Sequence, residues 1–350
     1  MDVKHIVIPV FIPHKGCPFD CIYCNQKAIS GENGEITEDK IHNIINAHIE
    51  NLRQDAYVEI GFYGGSFTGI EKELQIKYLG IAAEYIKKGS VKAVRVSTRP
   101  DYIDEDVLEI LKSYNVRTVE LGVQSMDEDV LLKSLRGHTA KDVIKSSCLL
   151  KEAGFNLGIQ TMVGLPGSNR EKEIATAKKV VELKPDIVRI YPTLVIKGTY
   201  LEKCYIEGRY KPLDLAGAVD VCAELMKIYD ENNINIIRVG LQPTDNINEN
   251  FDVVAGPFHP SFRQLAESKL MIEKIENYIR VYDLCKENDI IIYTGKENIS
   301  NLVGQKRENV DYLKKKYNFD NIFIKSMEGM KKGIFIKGDV KPRKLKTIQK

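Results

Sequence analysis

Gly16-Cys17-Pro18-Phe19-Asp20-Cys21-Ile22-Tyr23-Cys24-Asn25 places three cysteines within eight residues, soon after a short β-branched run at Ile6–Ile12. The spacing is C-x3-C-x2-C. With seven Cys in 350 residues, chance gives that spacing roughly 0.003 times per chain. Three thiolates so close in sequence can converge on one soft centre. Iron–sulfur clusters are commonly held by four Cys. Three leave one iron without a protein ligand, much as a catalytic zinc site keeps a position open for substrate. An iron with an open position can bind and activate a small molecule. The rival reading is a structural zinc site with His14, three residues before Cys17, as fourth ligand. The paired spacing usual in such sites is absent. Cys148, Cys204, Cys222 and Cys285 are isolated, and the default for them is buried packing as small hydrophobes.

Outward from this loop the chain alternates strand-like and helix-like stretches. Strands are expected at Ile6–Ile12, Val58–Tyr63, Val91–Val96, Val116–Val123, Leu157–Val163 and Ile187–Tyr191. Helices are expected at Thr37–Arg53 (Thr37 as N-cap), Glu71–Lys87, Asp104–Lys112, Ala140–Ala153 and Arg170–Leu183. Six strands separated by helices imply parallel βα units. Nearly every strand runs into a turn rich in Gly, Pro or polar residues: Gly64-Gly65-Ser66, Ser97-Thr98-Arg99-Pro100, Gly122-Val123-Gln124-Ser125 and Gly164-Leu165-Pro166-Gly167. In parallel α/β folds chemistry gathers at the carboxyl ends of strands. After Tyr191 the pattern changes. A helix at Ala216–Glu231 and a strand at Ile234–Val239 precede a loop at Gln242–Asn250. From Ser261 a long helical stretch runs towards Lys286, and short strands follow at Ile290–Tyr293, Ile322–Lys325 and Ile334–Lys337. A boundary is expected near 245, with a small α+β extension over 246–350.

Composition narrows the class. Hydrophobic residues make up 43% and charged residues 29%, enough apolar material for a core. No apolar run approaches the roughly 20 residues of a membrane span, and MDVKHIVIPV lacks the layout of a signal peptide. A cytoplasmic location without membrane contact is the default expectation. Seven Cys in such a chain do not read as a disulfide framework. Net charge is +2. Residues 331–350 hold eight Lys or Arg against one Asp, which leaves the first 330 at −5. A mildly acidic body is not a general nucleic-acid surface. The basic tail, KPRKLKTIQK, reads as a solvated end with RNA contact as the alternative.

The Cys trio after strand one, with an aromatic (Tyr23) before the last Cys, resembles the radical S-adenosylmethionine (SAM) enzymes. The resemblance covers about residues 6–245 and is closest to the radical SAM region of the Elongator catalytic subunit, which modifies tRNA uridines. It rests on Tyr63-Gly64-Gly65-Ser66-Phe67-Thr68, Thr98-Arg99-Pro100-Asp101-Tyr102, Glu120-Leu121-Gly122-Val123-Gln124-Ser125, Arg136-Gly137-His138-Thr139 and Tyr191-Pro192-Thr193-Leu194-Val195-Ile196-Lys197-Gly198-Thr199.

That resemblance implies an α/β fold: a partial (β/α)6, TIM-like barrel over 1–245, capped by 246–350, with the basic tail at 331–350. It implies a [4Fe–4S] cluster on Cys17, Cys21 and Cys24, and SAM as cosubstrate. Tyr23, Gly64, Gly65, Ser66, Ser97, Gln124, Arg136 and Gly164 are the implied SAM contacts. Ser97 stands where relatives usually carry Glu. Gln124 can donate and accept, which suits ribose hydroxyls. Arg136 can grip a carboxylate bidentately; alternatively it is a helix-end cation, with Gly137 as C-cap and Thr139 capping the next helix. The turn at Gly164–Gly167 is read as lining the adenine or as a plain turn. His138 and His259 are candidate general bases, and Arg99 and Lys197 candidate anion contacts. The implied partners are an electron donor such as flavodoxin or ferredoxin and an RNA substrate. A small metabolite or a porphyrinogen-like substrate stays open, as do an iron–sulfur carrier or sensor without SAM chemistry and a non-catalytic RNA-binding module. Elongator-type subunits carry a basic segment before this region and an acetyltransferase-like domain after it. Here sixteen residues precede Cys17, and 246–350 hold no R/Q-x-x-G-x-G/A loop. Acetyl-CoA binding through such a domain is therefore not expected, and Gly256-Pro257-Phe258-His259-Pro260 is the segment expected nearest the substrate.

Overall fold

Seven strands form one parallel sheet: β1 (His5–Phe11), β2 (Tyr57–Tyr63), β3 (Ala93–Thr98), β4 (Val116–Gln124), β5 (Asn156–Val163), β6 (Ile187–Pro192) and β8 (Asn235–Val239). Their order in the sheet is β1-β2-β3-β4-β5-β6-β8, and the sheet curls into a partial barrel. The described residues are 4–12, 17, 21–25, 36–52, 56–241, 252–330 and 333–338 of a computed structural model. The expected strands and helices are present, with ends shifted by a few residues. The strand expected at Ile234–Val239, inside 1–245 but not among the six of the βα units, belongs to the same sheet. It pairs in parallel with β6, Ile187 opposite Asn235, and so becomes the seventh strand.

Helices α1 (Glu38–Ile49), α2 (Lys72–Lys87), α3 (Glu105–Ser113), α4 (Glu128–Lys133), α5 (Ala140–Glu152) and α6 (Arg170–Glu182) connect the strands. Most begin at a side-chain cap. Thr37, Asp104, Asp127 and Asn169 each accept a hydrogen bond from the backbone N–H three residues on, and Thr139 and Asp142 form a capping box. Such caps satisfy amides that have no partner within the helix. The chain then inserts β7 (Val195–Ile196) and α7 (Tyr200–Ile206) before α8 (Leu215–Glu231) returns it to the sheet. Helices α4 and α7 have six and seven residues, too few for periodicity to reveal them.

The two faces of the sheet differ. Val58, Ile60, Phe62, Val94, Val96, Val119, Leu121, Leu157, Ile159, Val188 and Ile190 are buried on one face. There Phe62 meets Phe67 and Tyr78, at ring centroid distances of 5.3 and 6.3 Å. Side chains alternate faces along a strand, so the intervening positions point into the barrel. Those positions carry charge. Arg95 contacts Glu59 through Nε at 2.7 Å and Glu120 through Nη1 at 3.0 Å. Arg189 grips Glu120 through Nε and Nη2 at 2.5 and 3.0 Å. Tyr63 and Tyr191 flank Arg189, 3.1 and 3.3 Å from its Nη2 and Nη1. Burial, then the Glu120 carboxylate, push the Tyr63 phenol up to about 12. Inward glycines make room for this ladder. A Cβ on Gly61 would meet the Tyr63 ring at 2.6 Å, and one on Gly158 would meet Glu120 Cγ at 2.8 Å.

The chain divides into Met1–Pro260 and Ser261–Lys350, later than the position near 245 expected from sequence. The reason is β9 (Val253–Ala255), which pairs antiparallel with β7 and ties these residues to the first unit. In the second unit β10 (Asp289–Thr294) lies between β11 (Asn321–Ser326), parallel, and β12 (Ile334–Gly338), antiparallel. With α9 (Phe262–Val281), α10 (Ile299–Val303) and α11 (Glu308–Tyr317) it encloses its own core, including Ile275, Ile279, Ile290, Ile292, Leu302 and Leu313. Most of the basic tail, including 339–350, lies outside the described residues.

Glu120 is the joint of the ladder. Removing one partner of a buried ion pair leaves an uncompensated buried charge and costs about 3–5 kcal/mol. Glu120→Gln should lower unfolding stability by about 3 kcal/mol in a urea titration. An unchanged midpoint would show that Arg95 and Arg189 do not depend on it.

Candidate functional site

The cysteine loop is held from two sides. The Ile22 amide donates to the Ser134 carbonyl beyond α4 at 3.2 Å, and the Leu201 amide in α7 donates to the Ile22 carbonyl at 2.8 Å. The Ile22 side chain packs with Val195, Leu201 and Cys204, flanked by Tyr23, Tyr210 and Ala255. Asn25 Nδ2 donates to the Lys197 carbonyl at 2.8 Å. The stretch 191–204 thus seats the loop at the carboxyl end of the sheet. Cys17, Cys21 and Cys24 are free thiols, with Cys21 buried.

Arg136 joins this loop to strand β4. Its Nη1 donates to Cys21 Sγ at 3.3 Å, and its Nη2 donates to the Gly122 carbonyl. The turn that delivers it closes α4: the Arg136 amide donates to the Leu131 carbonyl, and Leu135 adopts a left-handed φ of 52°. Thr139 caps α5 as expected, yet Arg136 is turned inward and buried rather than left as an exposed helix-end cation. Gln124 stands beside it, buried, at a left-handed φ of 68° where the β4–β5 register shifts. A non-glycine residue held there is strained, as often happens where a side chain must be aimed. Gln124 Oε1 accepts from Gln160 Nε2 at 3.4 Å. Gly122 leaves the space above itself to both groups: a Cβ would fall 2.7 Å from Arg136 Nη2 and 3.0 Å from Gln124 Nε2.

The other strand ends are built differently. Gly64 has φ 88°, and a Cβ there would lie 2.4 Å from the Ile12 carbonyl oxygen. Glycine is required for that approach, which sets β2 against the end of β1. Gly65 follows with φ 61°. The Ser66 hydroxyl is fully buried, 2.8 Å from Thr98 Oγ1, and accepts from the Arg99 amide at 3.2 Å. It is spent within the fold, so a ligand would meet Ser66 through its backbone. Ser97 is half-buried on the inward face, and its hydroxyl makes no hydrogen bond among the described residues. The Gly164 turn is organised by Glu173 of α6, whose Oε1 accepts from the Gly164 amide at 2.6 Å and from Ser168 Oγ at 3.0 Å. Burial pushes the Glu173 carboxyl up.

Several expected residues do other work. Arg99 is buried, and its Nε and Nη2 clasp Asp101 at 2.9 and 2.8 Å. His138 is buried in the turn that follows Arg136. Its Nε2 lies 3.2 Å from the Val123 carbonyl and so carries the proton. Burial first, then the Arg136 charge, hold its pKa down at about 3. Lys197 is exposed and contributes backbone groups. The Gly256–Pro260 segment follows β9, and Gly256 lies against Thr193 and Leu194, so β9 holds it near the end of β6. His14 lies outside the described residues. Cys204 and Cys222 are buried as expected, but Cys148 and Cys285 are exposed. Cys148 sits off the buried stripe of α5, formed by Val143, Ser146, Ser147 and Leu150. Sequence reasoning did not single out Gln160, Glu173, Arg95 or Arg189. For the inward residues a signal existed: polar residues at every second place of strands otherwise apolar.

Three free thiols, one of them beside the Arg136 cation, are a donor set that would suit an iron–sulfur cluster. Among the described residues no three His, Cys, Asp or Glu stand close enough to hold a single metal ion. The positive charge of Arg136 beside Cys21 suits a thiolate-rich centre. The glycine turns, Ser97 and Gln124 leave backbone and amide groups at the same end of the barrel.

The sequence matches the radical SAM superfamily over residues 11–180 and the radical SAM C-terminal domain over 185–272. A tRNA uridine(34) acetyltransferase of Methanocaldococcus jannaschii is 39% identical over 199 residues, covering 50% of this chain and 37% of that protein. A tRNA uridine(34) acetyltransferase of Dehalococcoides mccartyi is 30% identical over 242 residues, covering 59% of this chain and 53% of its own. The chain thus spans about half the length, or less, of these curated relatives. Among solved structures, the archaeal Methanocaldococcus infernus Elp3 with an N-terminal deletion has a TM-score of 0.57 at 23% identity, covering 81% of this chain and 64% of that one. This last likeness shows the fold.

His138 generates a pH prediction. In the folded chain its ring stays neutral down to about pH 3; in the unfolded chain it protonates near pH 6.5. Between those values the unfolded chain binds more protons. The stability that depends on a neutral ring is therefore complete above pH 6.5 and is lost as pH falls towards 3. In urea titrations between about pH 6.5 and 4.5, His138→Gln should lose stability less steeply than the native chain. Parallel slopes would remove His138 from the account.

Proposed function

Given that this chain belongs to the radical SAM superfamily, we propose that Cys17, Cys21 and Cys24 hold a [4Fe–4S] cluster and that the chain cleaves SAM reductively. It is a radical SAM enzyme by family. The observation that carries the finer reading is Arg136, which ties Cys21 Sγ to the end of β4 beside the strained Gln124. Cluster ligand, charge and amide are thereby joined in one buried unit. When bound, the cluster supplies the electron that splits SAM into methionine and a 5′-deoxyadenosyl radical, a hydrogen-atom abstractor. The residues orient and shield. Backbone carbonyls at Gly64 and Gly65 are acceptors for an ammonium, because glycine permits close approach. Gln124, with Gln160 behind it, offers donor and acceptor to ribose hydroxyls. Arg136 balances thiolate charge and offers donors to a carboxylate. Tyr23, Ser97 and the turn at Gly164 complete the proposed contacts.

The substrate proposed is tRNA, on the strength of the curated relatives, with a small flavodoxin- or ferredoxin-type donor supplying electrons. No helix among the described residues is long and apolar enough to cross a membrane.

Anaerobic reconstitution tests this. The native chain should take up iron and sulfide and form 5′-deoxyadenosine from SAM when reduced. Ala at Cys17, Cys21 or Cys24 should abolish the cluster, since each substitution removes one of three protein ligands. A zinc-loaded, iron-free protein from anaerobic purification would overturn the assignment. Gln124→Ala should keep its iron and bind SAM roughly ten- to hundred-fold more weakly, the cost of a hydrogen bond to a charged or polar ligand. Gly122→Ala should resemble it, because the new methyl displaces the Arg136 and Gln124 tips. Unchanged SAM affinity in both would show that this end of β4 is not the SAM site.

A further inference from the structure

A cleft of about 520 Å³ opens beside the cysteine loop. Ile22, the Lys133–Leu135 end of α4, the Gly164–Ser168 turn and residues from Tyr200 to Leu213 bound it. Of the proposed SAM contacts it shares the Gly164 turn, and its lining includes none of Gly64, Gly65, Ser97, Gln124 or Arg136. Its floor is the packing that seats the loop: Cys204 and Ile22 belong to one apolar cluster, and Tyr210 donates its hydroxyl proton to the Gly164 carbonyl at 2.6 Å.

The walls carry a particular chemistry. Tyr200 is 50% exposed and Leu135 49%. The Arg209 guanidinium lies 5.7 Å from the centre of the Tyr200 ring. The guanidinium thus lies over a half-exposed ring, a stacked cation–aromatic pair on the wall of the cleft. Lys133 and Lys211 bring the cations to three. Lys133 pairs with Asp129 at 3.0 Å and Arg209 with Glu207, all four side chains being about half exposed. Such pairs are weak and readily exchanged for a better anion. Lys211 makes no ion pair among the described residues. This cluster of positive charge lies on a chain whose first 330 residues are net acidic.

We propose that this cleft receives an unpaired nucleotide of an RNA loop, its base stacked against the Tyr200–Arg209 pair and its flanking phosphates on Lys133 and Lys211. The inference rests on the reading of RNA as substrate and adds where the RNA is gripped. Stacking on an exposed ring serves any base, and phosphate neutralisation supplies affinity without sequence preference. A cleft of this size takes one splayed nucleotide and excludes a duplex, which favours single-stranded loops. Because the floor is also the seat of Ile22, the occupant would lie one residue from Cys21.

The test is fluorescence anisotropy of a labelled, unmodified tRNA transcript on the full chain, across a salt series. Tyr200→Ala should weaken binding about five- to hundred-fold, and Tyr200→Phe, which keeps the ring, should bind as the native chain does. Replacing Lys133 and Lys211 together by Gln should flatten the slope of log affinity against log salt by about 1.4, roughly 0.7 for each phosphate no longer neutralised. Melting midpoints equal to the native value establish that the variants are folded. If the native chain binds no tRNA, the RNA reading itself fails. If it binds and the variants bind equally well, with the same salt slope, only the cleft assignment fails. Adenosine monophosphate competing as strongly as the transcript would also overturn it, marking a small-molecule pocket instead.

Discussion

Glu120 holds two guanidinium groups, those of Arg95 and Arg189, inside the partial barrel, and much of the first unit is arranged around that contact. A parallel sheet is usually apolar on both faces because helices cover both. Here the second face turns inward and carries charged side chains in place of Val and Ile. Unpaired charges there would be costly. Two carboxylates, Glu59 and Glu120, answer two guanidiniums, Arg95 and Arg189, and the interior is electrically balanced. Glycines at 61 and 158 give the long side chains room. The ladder occupies the lower part of the interior and leaves the strand ends to the site.

Above it, the site depends on contacts between distant parts of the chain. Arg136 reaches back 115 residues in sequence to Cys21. Ile22 is clasped by Ser134 on one side and Leu201 on the other. The segment from Tyr191 to Thr199 builds the apolar seat under the cysteine loop. Ser66 and Thr98 do comparable work for the ends of β2 and β3, through a hydroxyl chain that continues to Thr68. Residues that stand side by side in the sequence motifs therefore fall into two groups, those that face the ligand space and those that hold the first group still.

Most of the architecture is legible in the sequence because it rests on local rules. Thr37, Asp104 and Thr139 announce their helices by capping, and the β-branched runs announce the strands. The Cys spacing and the Gly turns mark which end of the sheet carries chemistry. Alternation along VEIGFY, VRVST, TVELGVQ and IVRIY is also present, and it states that the inner face is polar. That signal is easily passed over, because strand existence and strand facing are separate questions, and only the second asks what the alternate residues are.

The sequence alone determined the order of the βα units, the position of the cysteine loop after the first strand, and the residue types available at each strand end. These follow from short-range sterics, capping and periodicity. Only the tertiary structure decided what each polar group does. It turned Arg136 inward onto Cys21, spent Arg99 on Asp101, kept His138 neutral, and returned Asn235–Val239 to the first sheet. Those outcomes depend on which groups meet after the chain folds and on how much water remains between them. A hydrogen bond across 115 residues, or a pKa set by burial, has no local signature in sequence.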